Sequence, residues 1–458
     1  MENLIPTLYK SYGTYVNSSK MIPSIIDGTI PVWKRILLGA HTVAKTEFVK
    51  SAAVFGHVIA NWHPHSEAIQ GTAEILIHNG FLDGKGNWGS TIGIEPMGCA
   101  APRYTSIKMN PFMEEMSFKY VKDVVWREDE LNPEPVILPT MIPICLFTKY
   151  EFNMIGFGFK TEIPSYKLSD LIKRLMYLLK LKNKIIIKPN IVGCKIVSAD
   201  EELEKLLIDP SRNSIQIKGT YTEDRKNFRI YVHGWSPRSN FSAIFNRIDN
   251  YNKWYLLSRG DVSYIDESTG SVGTKIRFEV AKARNRDKIY DQLLEAIEDR
   301  LTTSISYQIF AVLPDLSVKN TTVDEMLMYA YNNYITTLNN HFTRRIKEVQ
   351  EQIDELKIID KIKPHLQTVL KLKDPNEMIQ RLSDLTKISI NLIENVITKY
   401  NIKKLLSVST DLTNLVVELD DYKRKITNIE QVAIENYKDL LQKIEGSENK
   451  NKKTVVKK

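Results

Sequence analysis

Cysteine is scarce in this sequence of 458 residues. Only Cys99, Cys145 and Cys194 are present, and they are widely separated along the chain. An odd and sparse set fits a reducing compartment, and it excludes a disulfide framework or a zinc site built from cysteines. The sequence has no apolar run of about 18 residues, which a membrane-spanning helix needs, and its start lacks the basic-then-apolar pattern of a secretory signal. We therefore expect a cytoplasmic protein of several domains.

Motifs for nucleotides and metal ions are missing as well. There is no GxxxxGK[ST] phosphate loop and no DxD with an upstream catalytic glutamate that would hold Mg²⁺. Residues 84–89, GKGNWG, match GxGxxG, but a dinucleotide fingerprint needs a strand before it and a helix within it. We expect a helix before this run, so we reject nucleotide binding. The acidic run of residues 128–130 is expected to be a solvated linking segment.

Two histidines, His63 and His65, flank Pro64. A zinc site needs three or four ligands, and no other His or Cys cluster lies nearby in the sequence.

Basic residues outnumber acidic ones by 63 to 55, and the pI is near 9.0. This modest excess suits a polyanionic partner without identifying one.

The first 160 residues or so carry three predicted helices. Proline is favoured in the first turn of a helix, so Pro31 is predicted to open a helix over VWKRILLGA. A second helix is predicted from about Thr46 to Asn61, and Ser66 is suited to cap a third that ends near Gly80. Two helices joined by a short turn indicate a helix-turn-helix.

The pattern becomes mixed from residue 161 to about residue 321. A predicted amphipathic helix, LSDLIKRLMYLLK, is followed by short runs rich in β-branched and aromatic residues, which are typical of strands. We therefore predict a second, mixed α/β domain here. The strand-like runs are KIIIKPN, SIQIKGTY, NFRIYVHG and TKIRFEV.

From Thr322 onward the pattern is almost entirely helical. Apolar residues recur three or four positions apart in two segments, as in coiled-coil seams, and a stretch with Pro364 and Pro375 separates them. This predicts an antiparallel helical hairpin with a helical knob over residues 322–444. The charged tail, residues 445–458, is predicted to be disordered. The seams are Ile335, Leu338, Phe342, Ile346, Val349, Ile353 and Leu356, and Leu412, Leu415, Leu419, Tyr422, Ile426 and Ile429.

Residues 50–109 resemble the breakage-reunion segment of type IIA DNA topoisomerase A subunits, the gyrase A and topoisomerase IV A family. The pieces that carry the resemblance are KSA, GHVI, WHPH, DGKGNWGS and APRYT, in that order. IPSIIDGTIPVWKR upstream, and ILPTMIPICL and MIGFGFKTEIPSYKLSDLI downstream, extend the resemblance over about residues 20–175. No repeated segment follows the arm. The absence of a C-terminal β-pinwheel resembles the short A-type subunits of large tailed phages.

The resemblance implies a multidomain α+β fold. We expect an N-terminal arm followed by a winged-helix DNA gate and an α/β tower. A long antiparallel coiled-coil arm with a helical dimerisation knob would come next, followed by a basic tail. The expected ranges are 1–25, 26–160, 161–321, 322–444 and 445–458.

The resemblance also assigns the chemistry. A phenol has an ordinary pKa of about 10 and needs help to act as a nucleophile at neutral pH. Tyr104 is expected to attack a DNA phosphate with the help of Arg103, since a guanidinium stabilises charge on the transition-state oxygens. His63 and Arg35 are implied as further catalytic residues. Implied DNA contacts are Lys34, Lys50, His65 and the intercalating side chain of Ile155.

The sequence departs from the family pattern at several positions. Ile26 and Ile30 occupy positions where an arginine and a lysine are expected, which leaves the exact set of phosphate contacts open. Ala68 and Thr72 occupy the positions where a serine and an acidic residue bind quinolones in gyrases. Neither supplies a carboxylate, so weak quinolone sensitivity is expected.

The implied partners are double-stranded DNA, a second copy of the chain and a B-type subunit. That partner would carry a TOPRIM domain for Mg²⁺ and an ATPase domain for ATP. The implied activity is that of an ATP-hydrolysing type II DNA topoisomerase, EC 5.6.2.2, without strong supercoiling. An architectural DNA-binding dimer without catalysis also suits a helix-turn-helix with a coiled coil. A relative of the archaeal type that makes the recombination break is disfavoured by the long heptad segments.

Overall fold

The computed structural model describes residues 4–63, 65, 67–127, 132–372, 374–400, 405 and 411–455, with the backbone alone for residues 4–7 and 448–455. It contains two compact units. The first unit is Met1–Tyr334 with Tyr437–Lys458, and the second is Ile335–Asn436. The finer division at residues 25, 160 and 321 stays a prediction.

Helices and small antiparallel sheets alternate along the first unit, which confirms the predicted α+β class. Its helices are α1 (Leu4–Val16), α2 (Pro31–Val43), α3 (Ser51–Asn61), α4 (Glu67–His78), α5 (Pro111–Met113), α6 (Leu168–Leu178), α7 (Asp200–Ile208), α8 (Phe241–Asp249) and α9 (Arg286–Arg300). Its strands are β1 (Val49–Lys50), β2 (Leu82–Lys85), β3 (Ser106–Met109), β4 (Trp126–Arg127), β5 (Glu134–Pro135), β6 (Phe152–Ile155), β7 (Lys160–Ile163), β8 (Cys194–Ile196), β9 (Ser214–Gly219), β10 (Tyr221–Asp224), β11 (Arg229–Val232), β12 (Val262–Asp266), β13 (Ile276–Val280), β14 (Thr302–Ser306), β15 (Phe310–Val312) and β16 (Val318–Asn320).

The N-terminal part of this unit is built from α2, α3 and α4 around a three-stranded sheet of order β1-β3-β2. Pro31 is in the first turn of α2, as predicted. The second predicted helix begins at Ser51 and not near Thr46, because Val49 and Lys50 pair with β3. The third helix ends at His78, and Gly80 follows with a left-handed φ of 76°. The predicted cap Ser66 lies outside the described residues.

The loop that matches GxGxxG follows a strand and not a helix, contrary to our expectation. α4 ends at His78, and β2 then includes Gly84 and Lys85. Residue 86 is a bend, and residues 87–89 belong to no helix or strand. A dinucleotide motif needs a helix that starts within this loop. No helix starts at residues 86–89, and this is the ground on which we reject nucleotide binding.

Two larger sheets and three two-stranded sheets, β4-β5, β6-β7 and β15-β16, also lie in the first unit. A four-stranded sheet, β10-β11-β13-β12, packs against α8 and α9, and a three-stranded sheet, β14-β9-β8, packs against α7. The predicted helix at residues 168–180 is confirmed as α6, and three of the four predicted strand runs are confirmed. The prediction for KIIIKPN was wrong: residues 184–190, all described, lie outside any strand. The Ile185 carbonyl accepts a hydrogen bond from Arg174 at 2.6 Å, so a side chain occupies this backbone acceptor.

The second unit is entirely helical within its described residues. α10 (Val323–Ile362) and α15 (Ile429–Val455) connect it to the first unit, and α11 (Leu366–Val369), α12 (Pro375–Thr386), α13 (Ile390–Tyr400) and α14 (Thr413–Thr427) complete it. Phe342 of α10 lies beside Tyr422 of α14, with ring centroids 5.9 Å apart, and Arg345 pairs with Glu418 at 2.9 Å. Partner numbers fall along α14 as they rise along α10, so the two heptad segments run antiparallel. Their shared apolar cluster contains Ile346, Val349, Ile353, Leu412, Leu415, Leu419 and Tyr422.

The C-terminal segment is helical where we predicted disorder. α15 continues to Val455, and Glu445 pairs with Lys173 at 2.9 Å. Lysine and glutamate have favourable helix propensities, and extending an existing helix avoids the cost of nucleation. The prediction was therefore wrong for residues 445–455. None of the described helices combines the length and apolar composition that a membrane crossing requires.

Candidate functional site

Tyr104 lies on the surface, at the end of the loop that leads into β3. Its side chain is 64% exposed, and the Arg103 guanidinium carbon lies 4.7 Å from the centre of its ring. A cation at this distance is attracted to the face of an aromatic ring. The structure therefore brings together the two side chains predicted to cleave DNA, and it leaves both open to a large partner.

The backbone beside Tyr104 is fixed although the side chain is exposed. Thr105 is buried, its hydroxyl donates to the Ser51 hydroxyl at 2.8 Å, and its carbonyl accepts from the Ser51 amide at 3.1 Å. On the other side, Gly86 adopts a φ of 101°, and a Cβ there would come within 2.9 Å of the Tyr104 carbonyl oxygen. Only glycine fits this close approach without strain. The start of α3 and the β2 loop therefore hold the nucleophile candidate from two sides.

A second group of charged side chains surrounds Glu134, which is 1% exposed. Arg35, from α2, donates from Nε at 2.8 Å and from Nη2 at 3.0 Å to its two carboxylate oxygens. Arg127 also donates to Glu134, from Nε at 3.1 Å and from Nη2. Burial alone would raise the pKa of Glu134, but the bonds from the two arginines lower it to about 2. Glu134 is therefore an anion that neutralises much of the positive charge around it.

His63 adjoins this group. Arg35 Nη1 lies 3.4 Å from His63 Nδ1, while His63 Nε2 is buried and has no hydrogen-bond partner among the described residues. Burial and the positive charges of Arg35, His65 and Lys20 lower the pKa of His63, with Glu134 acting in the opposite direction. A buried donor without an acceptor costs about 1–3 kcal/mol. An acceptor that reached Nε2 would therefore be bound favourably.

The prediction of a phosphate contact through Lys34 does not agree with its location. Lys34 is 8% exposed, and its ammonium donates to the Val136 carbonyl oxygen at 2.7 Å. Burial lowers its pKa, and Asp27 and Glu134 act in the opposite direction. The side chain fastens α2 to the segment after β5, and that requirement explains a basic residue on the inner face of the helix.

The other predicted DNA contacts are at the surface. Lys50 is exposed at the end of β1, opposite Ser106, and His65 is exposed two positions before the start of α4. Ile155 is 73% exposed at the end of β6, next to the turn into β7. A large apolar side chain that protrudes from a hairpin suits insertion between bases. Ile26 and Ile30, which replace expected basic residues, are core positions at 9% and 3% exposure.

Sequence reasoning missed Glu134, Arg127 and Lys20. Glu134 and Arg127 lie opposite each other in the β4–β5 hairpin, far from Arg35 in the chain. Nothing in the sequence around Glu134 marks it, because its bond to Arg35 joins residues 99 positions apart. Lys20 follows the N-terminal helix, and its relation to His63 depends on tertiary structure. The acidic run of residues 128–130 lies outside the described residues. Within them, no group of three or more His, Cys, Asp or Glu could hold a metal ion.

A family model for the A subunits of DNA gyrase/topoisomerase IV matches residues 20–456 of this sequence. The chain belongs to this family of A subunits. The membership covers both units and every residue of the candidate site.

Individual members of the family are distant in sequence. The chain is 24% identical to the DNA topoisomerase 4 A subunit of Neisseria gonorrhoeae over 83% of its own length and 54% of that protein. It is 33% identical to the DNA gyrase A subunit of Campylobacter jejuni over 40% of its length and 22% of that protein. It is 27% identical to the DNA gyrase A subunit of Haloquadratum walsbyi over 63% of its own length and 35% of that protein. The chain therefore spans about half or less of the length of these relatives.

Proposed function

We propose that this chain is the DNA-cleaving subunit of a type IIA topoisomerase, with Tyr104 as the nucleophile. The Tyr104 oxygen attacks a backbone phosphorus, and the bond from phosphorus to the 3′ oxygen breaks. The phenol loses its proton, the departing oxygen gains one as a 3′-hydroxyl, and the protein retains a 5′-phosphotyrosyl link. The reverse displacement reseals the strand. The bond energy is kept in the ester, so this step needs no ATP.

The observation that carries the proposal is the exposed Tyr104 beneath an arginine, on a backbone that is held from two sides. An arginine in this position can bind the same phosphate that the phenol attacks, and it stabilises the charge that develops on the phosphate oxygens. The element order α2-β1-α3-α4-β2-β3, with an antiparallel sheet, supports a winged-helix DNA gate. In that arrangement the nucleophile precedes the last strand of the wing sheet.

His63 and Arg35, from the group around Glu134, are proposed to support the reaction, with His63 presenting an N–H to a phosphate oxygen. Lys50 and His65 are proposed to contact the DNA backbone, and Ile155 to insert between base pairs and bend the duplex. Bending costs a few kcal/mol in lost stacking and favours recognition of DNA geometry over sequence. Lys34 has no part in this proposal because it is buried.

The remaining architecture is proposed from family membership and the antiparallel heptad segments. Residues 161–321 would be the tower, and residues 322–444 the arm with its dimerising knob. Two copies related by a two-fold axis would cut opposite strands. A B-type subunit would supply Mg²⁺ through a TOPRIM domain and hydrolyse ATP, and the complex would relax and decatenate DNA. Mg²⁺ bound by that partner would neutralise charge on the phosphate.

The Tyr104→Phe variant tests the proposal. The chain is mixed with the B-type subunit of its own source, Mg²⁺ and plasmid, and the reaction is stopped with denaturant. We expect wild type to yield linear DNA with covalently attached protein. Tyr104→Phe should yield none while retaining DNA affinity. Tyr264→Phe, which removes another exposed phenol of the same unit (43% exposed), is the matched control and should cleave like wild type.

Covalent capture by Tyr104→Phe would overturn the proposal. Absence of covalent DNA in wild type, with DNA binding intact, would favour the architectural dimer instead. Mapping the attached peptide by mass spectrometry distinguishes Tyr104 from any other nucleophile.

A further inference from the structure

The side chain of Glu134 is buried, so it cannot touch DNA directly. Its side chain is 1% exposed, and both of its oxygens accept bonds from arginines. One of those arginines, Arg35, uses Nε and Nη2 for the carboxylate, so the plane of its guanidinium is fixed. Two parallel bonds of this kind give geometric specificity that a single bond does not. Any effect of Glu134 on the chemistry must therefore pass through Arg35.

The fixed guanidinium leaves Nη1 directed at His63. The Nη1 to Nδ1 distance is 3.4 Å, and a guanidinium donates hydrogen bonds but cannot accept them. His63 Nδ1 is therefore the acceptor and carries no proton. In a neutral imidazole the proton must then be on Nε2.

Nε2 is the atom that is buried without a partner in the described structure. Because this atom is buried, an acceptor reaches it only when neighbouring atoms move. The charged and titratable groups around the ring are Arg35, His65, Lys20 and Glu134. Three of these four groups are basic, so an anion is the acceptor that the surroundings favour.

We infer that Glu134 is a positioning residue that, through Arg35, fixes His63 as the Nε2–H tautomer and reserves this donor for a phosphate oxygen of DNA. The inference rests on the proposed function for the identity of the anion. It rests on the structure alone for the tautomer.

The tautomer is tested by NMR on the full chain labelled with ¹⁵N histidine. There are eight histidines, and a His63→Asn variant assigns the signals of His63. In wild type we expect one protonated nitrogen, Nε2, and one unprotonated nitrogen, Nδ1. In Glu134→Gln the amide cannot accept both bonds from Arg35, so His63 should show a mixture of tautomers. Glu114→Gln, which removes a carboxylate bonded to His41 and Lys45 in the same unit, should leave the His63 signals unchanged.

Arg35→Lys provides a second variant should Glu134→Gln not fold. A lysine keeps the charge but loses the fork that joins Glu134 to His63, so the same mixture of tautomers is expected. A single Nδ1–H tautomer in wild type would overturn the inference. So would an unchanged spectrum in both variants.

The functional part is tested by the rate of DNA cleavage in the complex with the B-type subunit. At saturating DNA we expect Glu134→Gln to lower the cleavage rate about tenfold, less than the loss of a whole donor, with little change in DNA affinity. Glu114→Gln should cleave like wild type. A wild-type rate for a folded Glu134→Gln would overturn the inference while leaving the role of Tyr104 intact. Cleavage by Tyr104→Phe would overturn the proposed function while leaving the tautomer result intact.

Discussion

Arg35 and Arg103 are both proposed to act at the cleavage site, but they lie in opposite environments. The Arg35 side chain is 15% exposed and bound to an ionised carboxylate, while Arg103 is exposed and contacts the ring of Tyr104. Electrostatic interactions strengthen as water is excluded, so the ion pair with Glu134 holds the Arg35 guanidinium firmly in place. Arg103 keeps its charge available for an incoming phosphate.

The two arginines are therefore suited to separate roles. A residue whose partner is already in place can orient a neighbour before substrate arrives, whereas an exposed residue acquires its geometry from the substrate. Preorganised groups avoid reorganisation during the reaction. The comparison therefore assigns orientation of His63 to Arg35, and stabilisation of the reacting phosphate to Arg103.

A large effect on the cleavage rate, second only to the loss of cleavage in Tyr104→Phe, is expected from Arg103→Ala. Loss of one donor that stabilises a charged transition state costs about 10²–10³ in rate, or about 2.7–4 kcal/mol. The cleavage rate in the complex with the B-type subunit should fall by this factor. Because Arg103 is exposed, the unfolding free energy should change by less than about 0.5 kcal/mol. Arg103→Lys is the control and should recover part of the rate. A loss of stability that accounts for the loss of cleavage would assign Arg103 a structural role.

An effect on acid stability is expected from Glu134. The pKa of Glu134 is lowered from 4.5 to about 2 in the folded chain, so its ionised form stabilises the fold above pH 4.5. That contribution, about 3 kcal/mol for a shift of this size, is lost as the pH falls from 4.5 towards 2. The difference in unfolding free energy between wild type and Glu134→Gln should therefore shrink across this range. It is measured by urea unfolding at several pH values.

Arg103→Ala is the control for this experiment, because it removes a charge that has no buried carboxylate partner among the described residues. Its difference from wild type should stay small and flat with pH. A Glu134→Gln difference that did not depend on pH would show that the carboxylate and the two arginines contribute little to folding.

Local signals in the sequence were sufficient for the helices that present the site. Pro31 marked the start of α2, and Gly80 marked the end of α4, because proline and glycine restrict or permit particular backbone angles whatever the rest of the chain does. The start of α3 was predicted about five residues too early. Its neighbour Lys50 is drawn into a strand by Ser106, a pairing across 56 positions that no local pattern records.

The exposed half of the candidate site was predictable and the buried half was not. Tyr104 and Arg103 are adjacent in the sequence, so a motif contains both. The bonds of Arg35 depend on Glu134, and those of Lys34 on Val136, about one hundred residues away in each case. A basic pair on a helix gives no indication of which side chain is outside. Tertiary contacts bury the Lys34 ammonium against a backbone carbonyl, and they place Arg35 between a carboxylate and a histidine.

The smallest effect is expected on the salt dependence of DNA binding. It compares the exposed Lys50 with the buried Lys34. Each phosphate contact contributes about 0.9 to the slope of log binding constant against log salt concentration. Lys50→Gln should reduce that slope by about 1, measured with a short duplex over a range of salt. Lys34→Met should leave the slope unchanged, because its ammonium is bound to the Val136 carbonyl and does not face DNA. Circular dichroism confirms that both variants are folded. A reduced slope for Lys34→Met would mean that the Lys34 ammonium leaves the Val136 carbonyl for a phosphate when DNA binds. Lys34 would then be a DNA contact like Lys50.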